Sequence, residues 1–387
     1  MNIDFDISIV GSGPIALTMA NLLSKITQKP KRICLFSLTK NMGKNNKKYA
    51  SSHSVIINNI SYNILNNIKI FSEKLKPVYT VNISKNKKYQ TNINCKDLNI
   101  NTVGYSIIYE ELIENLKSSI FYSKISKNNS ILNNNIFSTS KFVYIKTKKN
   151  IFKSYLLILA DGLPLYDLTR IYNQKIIFSN ISLTNPSIGY AYEFFYNDNI
   201  FALLPESINK DQYIFFFCCN QYTYNKLFSL KKNDFLNIVQ HYFGENLGFF
   251  LDISVNYISY IKLKSQGNLF KDRIISIGNS AQSIHPIAGQ GLNLGLRDSF
   301  ILSKILSIFL LNFQYISNSN LYNLISKYSN NRQSDRWYNI LFTDIFSRFF
   351  IKKIFFNNLL FDLSLISLSL NFSFSEKVFK LFLYGNN

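Results

Sequence analysis

The 387-residue chain has few of the side chains from which metal sites and disulfide frameworks are built. It contains four cysteines and only three histidines. Cys34 and Cys95 are isolated, whereas Cys218 and Cys219 are adjacent. This spacing excludes a zinc ribbon and a disulfide scaffold, and it is ordinary for a reducing compartment. Because three histidines are also too few for a His-rich centre, we predict that the protein holds no metal.

Long apolar runs are scarce as well. The longest stretch that resembles a membrane span, 305–316, has too few residues to cross a bilayer. The first six residues include two acids and no basic region, which is unlike a signal peptide. The Phe- and Leu-rich part, 340–382, is interrupted by charges and is interpreted as amphipathic helices, with Trp337 expected in a helix core. The expected location is the cytoplasm, with peripheral contact at the inner membrane as an open alternative.

Acidic residues are few beside basic ones. The chain has 43 lysines and arginines against 22 acids, a formal net charge of +21, and only seven of the basic residues are arginine. Glycine (14) and proline (7) are also scarce, whereas phenylalanine (34) and tyrosine (25) are abundant, a usage typical of AT-rich codons. Two explanations of the charge stay open: compositional drift, and a surface that contacts anionic lipid or a partner. We do not predict a nucleic-acid ligand.

The order of the predicted elements indicates a nucleotide-binding sheet with a second sheet inserted into it. Residues 4–10 predict a strand, 14–26 a helix and 32–36 a second strand, which together form a βαβ unit. The aromatic block 188–219 predicts long antiparallel strands. Further predictions are helices at 105–117 and from 291 onward, strands at 141–146, 154–159 and 273–277, and either a loop or a weak strand at 127–135.

These elements predict a fold class of α/β plus α+β. The length and the 47% hydrophobic content permit two domains with sizeable cores. We assign a Rossmann-like domain to 1–170 and 265–330, an antiparallel substrate-side sheet to 171–264, and C-terminal helices to 331–387.

A glycine-rich turn joins the first strand to the first helix. Gly11, Gly13 and Ala16 form a G-x-G-x-x-A pattern, with Pro14 in the first helical turn. The first glycine permits the tight turn, the second lets the backbone approach a pyrophosphate, and the small third residue allows close packing of helix and strand. The positive end of the helix dipole then faces the phosphates. Ser37 follows the second strand, where a ribose-binding carboxylate is usual.

The segment 278–298 carries the strongest signal in the chain. It follows a predicted strand, leads into a predicted helix and reads GNSAQSIHPIAGQGLNLGLRD. Gly289, Gly291 and Gly295 cluster where a backbone can approach a flat ring, and Pro286 stiffens the loop. A helix that begins near Gly291 directs free N–H groups at whatever lies before it.

This segment resembles the second flavin motif of the FAD-dependent aromatic hydroxylases, the group A flavoprotein monooxygenases. Within that group it is similar to the ubiquinone-biosynthesis hydroxylases, above all to the 2-polyprenyl-6-methoxyphenol hydroxylase branch. Further motifs of that branch are matched by Ala160-Asp161-Gly162, by the strand 201–205 that ends in Leu-Pro, and by Tyr328, Arg332, Asp335 and Arg336. The resemblance spans nearly the whole chain and is weak between 40 and 150.

The resemblance implies an enzyme in which NAD(P)H reduces bound FAD and the reduced flavin uses O₂ to hydroxylate the aromatic ring of a polyprenylated methoxyphenol. Other proteins of ubiquinone synthesis are implied as partners. No acid or base is assigned with certainty, although His285 and Pro286 are candidates near the flavin. The residues expected to bind FAD are Gly11, Gly13, Pro14, Ala16, Ser37, His53, Asp161, Gly162, Asn279, Pro286, Gly289, Gln290, Gly291, Leu292 and Asn293.

Three positions depart from the family pattern. Ser37 replaces an acid, His53 stands where the family has an arginine before an apolar run, and Leu163 to Tyr166 follow Asp161-Gly162 where serine and arginine are usual. Two alternatives therefore stay open. One is another flavin enzyme on the same scaffold, such as a hydroxylase at another ring position or an isoprenoid reductase. The other is a non-catalytic flavoprotein or scaffold.

Overall fold

The computed structural model describes residues 3–38, 54–71, 75–86, 89–122, 126–162, 168–196, 199–206, 212–245, 247–286, 289–311 and 318–351. The described part of the chain contains helices and strands that alternate in its first half, followed by a long series of strands and two C-terminal helices. In chain order they are β1 (Phe5–Val10), α1 (Pro14–Ile26), β2 (Ile33–Leu38), β3 (Ser54–Asn58), α2 (Asn59–Asn67), β4 (Lys76–Val78), β5 (Thr80–Lys85), β6 (Tyr89–Asn94), β7 (Gly104–Ile108), α3 (Tyr109–Tyr122), β8 (Ser126–Ser138), β9 (Val143–Thr147), β10 (Ile151–Leu159), β11 (Leu168–Leu183), β12 (Tyr190–Tyr196), β13 (Asn199–Pro205), β14 (Gln212–Asn220), α4 (Gln221–Phe228), α5 (Lys232–Phe243), β15 (Phe250–Ser265), β16 (Phe270–Lys271), β17 (Ile274–Ser276), β18 (Gln282–Ser283), α6 (Gln290–Leu311) and α7 (Asn318–Ile351).

The predicted βαβ unit is confirmed as β1, α1 and β2. These elements belong to a sheet whose parallel strands lie in the order β8, β2, β1, β10, β17, and α1 packs on it between α3 and α6. Every residue of β1 is buried, as expected for a parallel strand covered on both faces. Its two polar side chains are satisfied, because Asp6 pairs with Arg32 and Ser8 Oγ lies 2.9 Å from Ser154 Oγ.

The aromatic strands form a sheet of eight strands in the order β18, β15, β11, β14, β13, β12, β5, β6. All neighbours are antiparallel except β12 and β5, which confirms the predicted antiparallel sheet. One face, here called the outer face, buries Phe201 against Phe235 of α5. The opposite, inner face carries Ile200 and Cys218 and packs against Ile340 of α7.

Sheet membership does not follow the predicted domain boundaries throughout. Strands β5, β6 and β18 belong to the eight-stranded sheet, although they lie within the segments 1–170 and 265–330 that were assigned to the nucleotide-binding domain. Strands β3, β7 and β4 form a third, small antiparallel sheet. The boundaries stay a prediction, because strand order does not by itself divide a chain into domains.

Helix α7 differs from the predicted amphipathic packing. Trp337 is 41% exposed and so is not a core residue, and the buried side of α7 carries the charged residues Arg332, Asp335 and Arg336 beside apolar ones such as Tyr328 and Ile340. Leu341 continues the exposed apolar side. The segment 352–387 lies outside the described residues. No helix in the described part of the chain is long and apolar enough to cross a membrane.

Candidate functional site

The turn between β1 and α1 has the shape that a dinucleotide requires. Gly11 adopts a φ of +149°, and a Cβ at this position would lie 2.5 Å from the Ala160 carbonyl oxygen and 2.8 Å from Ala16 Cβ. Only glycine fits at 11, and a larger residue at 16 would push the helix away from the sheet. Helix α1 begins at Pro14 with Gly13 as its N-cap and no side-chain cap, so its first N–H groups face outward. They are available to an anionic group.

Helix α6 starts close to the same place. A Cβ on Gly295 would lie 2.7 Å from Ile15 Cδ1, and one on Gly278 would lie 3.1 Å from the Ile15 side chain. These two glycines therefore bring α6 and the strand–turn before it into close contact with the first turn of α1. As a result, the N-termini of two helices converge near the carboxyl ends of β1, β10 and β17, the usual position of a nucleotide in such sheets.

Open space lies in front of the loop that leads into α6. A Cβ added to Gly289 or Gly291 would meet no atom within 4 Å among the described residues, and Gly289 has a φ of +61°. Gln290 between them is 3% exposed, and its Oε1 has no hydrogen-bond partner in the described part of the chain. An open surface lined by backbone, with an unsatisfied amide oxygen beside it, fits a flat, hydrogen-bonding ring such as a flavin.

Asn293 holds this loop in place rather than pointing into the open space. Its Oδ1 accepts a hydrogen bond from Asn58 N at 2.9 Å, and its Nδ2 donates to the carbonyl oxygens of Ile56 (3.1 Å) and Gly289 (3.2 Å). The predicted contact of Asn293 with FAD is therefore limited to its backbone. Leu292, the next predicted contact, is half-buried in the same first turn.

The predicted residues after β10 and β17 face each other. Ser280 Oγ donates to Asp161 Oδ1 at 2.8 Å and accepts from Gly162 N at 2.8 Å, and a Cβ on Gly162 would lie 3.7 Å from Asn279 Cβ. The structure thus brings Asp161, Gly162 and Asn279 together, and their contact with FAD stays a prediction. Sequence reasoning did not single out Ser280, which links the two turns.

Ser37 lies at the carboxyl end of β2, where the ribose-binding residue was expected. Its neighbour Phe36 pairs with Val10, and the Phe36 carbonyl accepts from Gly11 N at 2.9 Å, so Ser37 borders the glycine turn. Its side chain is half-buried. The two other departures from the family pattern, His53 and the segment from Leu163 to Tyr166, lie outside the described residues.

His285 is fully buried and neutral. Its Nε2 lies 3.0 Å from Gln174 Oε1, its ring meets the edge of Tyr172 at 5.1 Å, and the Tyr172 hydroxyl donates to Asp344 Oδ1 at 2.8 Å. Burial lowers the pKa of His285 to about 3, so the imidazole carries no charge at neutral pH. His285 and Pro286 therefore connect the loop that leads into α6 to the inner face of the eight-stranded sheet, and His285 is not poised as a proton donor.

The inner face presents an aromatic and aliphatic surface toward the loop. Phe178, Phe216 and Ala202 lie directly opposite one another on β11, β14 and β13, and the rings of Phe178 and Phe216 meet edge to face at 4.7 Å. Glu193 continues this row on β12 and is also buried. The surface can exclude water from an apolar ring while retaining a carboxylate at one end.

Glu206 is a buried acid that sequence reasoning missed. It follows β13, its Oε2 has no hydrogen-bond partner among the described residues, and burial raises the pKa of its carboxyl, an effect that Lys76 partly opposes. The preceding carbonyl of Pro205 accepts from Ser106 Oγ at 2.6 Å. Ser106 pairs with Ile56, whose carbonyl accepts from Asn293 Nδ2, so a chain of hydrogen bonds connects the residue before Glu206 to the first turn of α6. The signal was present in the sequence as an acid directly after Leu-Leu-Pro.

Comparisons with known proteins match part of the sequence and nearly the whole fold. No family model matches the chain. The chain is 26% identical to an uncharacterised protein of Synechocystis over 181 residues, which cover 46% of this chain and 42% of that protein. It is 26% identical to the ubiquinone hydroxylase UbiL of Rhodospirillum rubrum over 133 residues, 34% of this chain and 30% of that protein. The matches thus span less than half the length of these relatives.

The solved structures match over far more of the chain. The p-nitrophenol 4-monooxygenase PnpA of Pseudomonas putida has a TM-score of 0.74 at 11% identity and covers 100% of both chains. PqsL of Pseudomonas aeruginosa, a probable FAD-dependent monooxygenase, has a TM-score of 0.72 at 12% identity over 90% of this chain and 97% of its own. The predicted fold class is confirmed: the chain has the fold of the FAD-dependent aromatic hydroxylases.

Proposed function

We propose that the protein is an FAD-dependent monooxygenase that hydroxylates an aromatic ring, with NAD(P)H as the reductant. The observation that carries this proposal is the open space before Gly289 and Gly291 at the N-terminus of α6. Among the described residues nothing covers this backbone or satisfies the Gln290 oxygen, which a purely structural loop would not require. The fold shared with flavin-dependent monooxygenases supports the proposal.

The residues present fit FAD. The N-terminus of α1, after Gly11 and Gly13, would hold the pyrophosphate, Ser37 would contact the adenosine ribose, and Asp161 would contact the cofactor from the end of β10. When bound, FAD would supply the redox chemistry, in which NAD(P)H gives two electrons and one proton, solvent gives a second proton, one oxygen atom of O₂ enters the ring and the other leaves as water.

The chain itself performs two tasks around the cofactor. The N–H groups of Gln290, Gly291 and Leu292 lie in the first turn of α6, where they stabilise negative charge at the flavin ring. The inner-face row of Phe178, Phe216 and Ala202 keeps water away from the reacting ring.

We infer a substrate class from the sequence resemblance and from one relative. The motif in 278–298 is similar to that of the ubiquinone-biosynthesis hydroxylases, and UbiL, which is named a ubiquinone hydroxylase, is 26% identical over part of the chain. The proposed substrate is a polyprenylated methoxyphenol. Contact with a membrane surface and with other proteins of ubiquinone synthesis is proposed on the same resemblance.

Turnover of the purified protein tests this function against its alternatives. With FAD, NADH or NADPH and a short-chain prenylated methoxyphenol, the phenol is expected to stimulate both NAD(P)H oxidation and O₂ uptake. An isoprenoid reductase would oxidise NAD(P)H with a prenyl substrate and consume no additional O₂. A yellow protein that shows neither response would be a flavoprotein without catalytic function.

A further inference from the structure

Five charged side chains are buried together between α6 and α7. We call Arg297, Asp298, Arg332, Asp335 and Arg336 the arginine–aspartate cluster, and none of them is more than 3% exposed. Arg332 Nε donates to Asp298 Oδ1 at 2.7 Å, and Arg332 Nη1 donates to Asp335 Oδ2 at 2.5 Å. Arg332 therefore bridges the two helices through charge-assisted hydrogen bonds.

The cluster is hydrogen-bonded to the turn 278–282, which precedes the loop that leads into α6. Asp298 Oδ2 accepts from Gly278 N at 3.0 Å and from Gln282 Nε2 at 2.9 Å. On the other side of the amide, Gln282 Oε1 accepts from Arg336 Nε at 2.6 Å. The residues that carry the buried charges thus also fix both ends of the turn 278–282, which faces Asp161 through Ser280.

The charges of the cluster do not cancel. Three arginines accompany two aspartates, which leaves one positive charge among these buried residues. None of the three guanidinium nitrogens of Arg297 has a hydrogen-bond partner in the described part of the chain. Its nearest carboxylate oxygen, Asp335 Oδ2 at 3.3 Å from Nε, already accepts from Arg332. A buried charge without a full set of hydrogen-bond partners destabilises the folded protein, because its lost hydration is not replaced. We therefore expect a negatively charged group to bind near Arg297.

Arg297 lies near the end of the second turn of α6, and its Nε is 3.3 Å from Asp335 Oδ2 of α7. It follows Gly291 by six residues, about 9 Å along the axis of α6. Side chains in a helix lean toward its N-terminus, so the guanidinium is shifted toward the first turn, where the open space lies. A flavin at that end gains negative charge on reduction, because the fully reduced ring is an anion at neutral pH.

We propose that Arg297 supplies the uncompensated positive charge of the arginine–aspartate cluster to stabilise the reduced, anionic form of the bound flavin. This inference rests on the proposed function, since it requires FAD at the N-terminus of α6. At a separation of about 10 Å and an effective dielectric constant of about 20, a unit charge corresponds to a preference for the reduced cofactor of roughly tenfold. Arg297 is thus an electrostatic positioning residue that need not touch the flavin.

The test compares the reduction potential of bound FAD in variants of the whole chain. Arg297→Met is expected to lower the affinity for reduced relative to oxidised FAD about tenfold, which for two electrons is a fall of about 30 mV. Arg297→Lys keeps the charge and should stay near wild type. Lys304→Met removes an exposed positive charge from the same helix and serves as the matched control. If Arg297→Met does not fold, Arg297→Gln gives the same test with polar atoms retained.

The outcomes separate this inference from the proposed function. If Arg297 were only structural, its neutral variants would melt earlier while the potential stayed within a few millivolts of wild type, and the inference would be overturned. A potential lowered equally by Arg297→Lys would also overturn it, because the charge would not be the cause. A wild-type chain that takes up no FAD would overturn the proposed function and this inference together.

Discussion

At the scale of single residues, a substitution at Gly291 can test flavin binding without disturbing the packing of the fold. A Cβ there meets no described protein atom, whereas a Cβ on Gly295, one turn later, would clash with Ile15. We expect Gly291→Val to lower bound flavin at least tenfold, since the side chain would occupy the ring's position, while apoprotein stability stays level. Gly295→Val should lower the unfolding midpoint itself. Flavin absorbance per protein and thermal melts measure both, and full flavin content in Gly291→Val would contradict the assignment.

Ser37 offers a gain-of-affinity test at the opposite end of the cofactor. A serine makes neutral hydrogen bonds, whereas a carboxylate makes charge-assisted bonds that are roughly 1 kcal/mol stronger. Ser37→Glu is therefore expected to tighten FAD binding about fivefold in a titration of apoprotein. Ser37→Ala is the control and should weaken binding slightly. Affinity that stays level or falls in Ser37→Glu would show that another group contacts the ribose.

Glu206 makes a pH-dependent prediction. Because burial raises its pKa, the folded state keeps a proton over a range in which the unfolded state has released it. Stability should therefore fall as the pH rises from the ordinary glutamate range to the raised value, and then level off. Glu206→Gln stays neutral and should remove this fall, so that the variant unfolds at higher urea than wild type at pH 7 but not at pH 4. A constant difference across this range would contradict the burial argument.

At the scale of residues, the sequence predicts positions at which backbone geometry dictates the side chain. The close contacts around Gly11 and Ala16 agree with the tight turn that the pattern predicts, whereas the contact of Gly291 with FAD stays a prediction. Glu206 was missed because its burial depends on strands that are distant in sequence, among them β7. No local spacing reveals such a contact.

At the scale of elements, the sequence predicts strongly patterned helices and strands well. It does not predict segments whose structure is determined by pairing with distant strands. The Asn-rich segment 127–135, left open as loop or weak strand, lies in β8 because it pairs with β2 and β9. Asparagine is depleted in strands, so here the pairing with neighbouring strands overrides its low β-propensity. The helix predicted at 105–117 begins only at Tyr109, since residues 104–108 form β7 between β3 and β4.

The α6–α7 pair is held by the arginine–aspartate cluster, which predicts a large stability effect. Arg332→Met leaves the Asp298 and Asp335 carboxylates buried without their shared cation, and removing one partner of such a pair costs about 3–5 kcal/mol. Urea unfolding should show this loss. Lys232→Met, which breaks an exposed pair with Asp252, is the matched control and should leave the midpoint unchanged. Equal effects of the two changes would contradict the account of the cluster.

At the scale of the whole molecule, the net charge of +21 invites a test of membrane contact. Lys352, Lys353, Lys377 and Lys380 flank apolar residues near the C-terminus, outside the described residues. Each lysine near an anionic surface contributes about 1 kcal/mol, so flotation with phosphatidylserine vesicles at low salt should recover wild type. The variant with all four changed to Gln should be recovered far less. Equal recovery, or none of either protein, would favour compositional drift as the origin of the charge.

We propose above all that this chain uses FAD to place one atom of O₂ on an aromatic ring. The decisive measurement is mass spectrometry of the product formed under ¹⁸O₂ by purified protein with FAD, NAD(P)H and a prenylated methoxyphenol. We expect a product heavier than the substrate by one ¹⁸O atom, and no such product from Gly291→Val. A product without ¹⁸O, or unchanged substrate from a flavin-loaded protein that oxidises NAD(P)H, would contradict it.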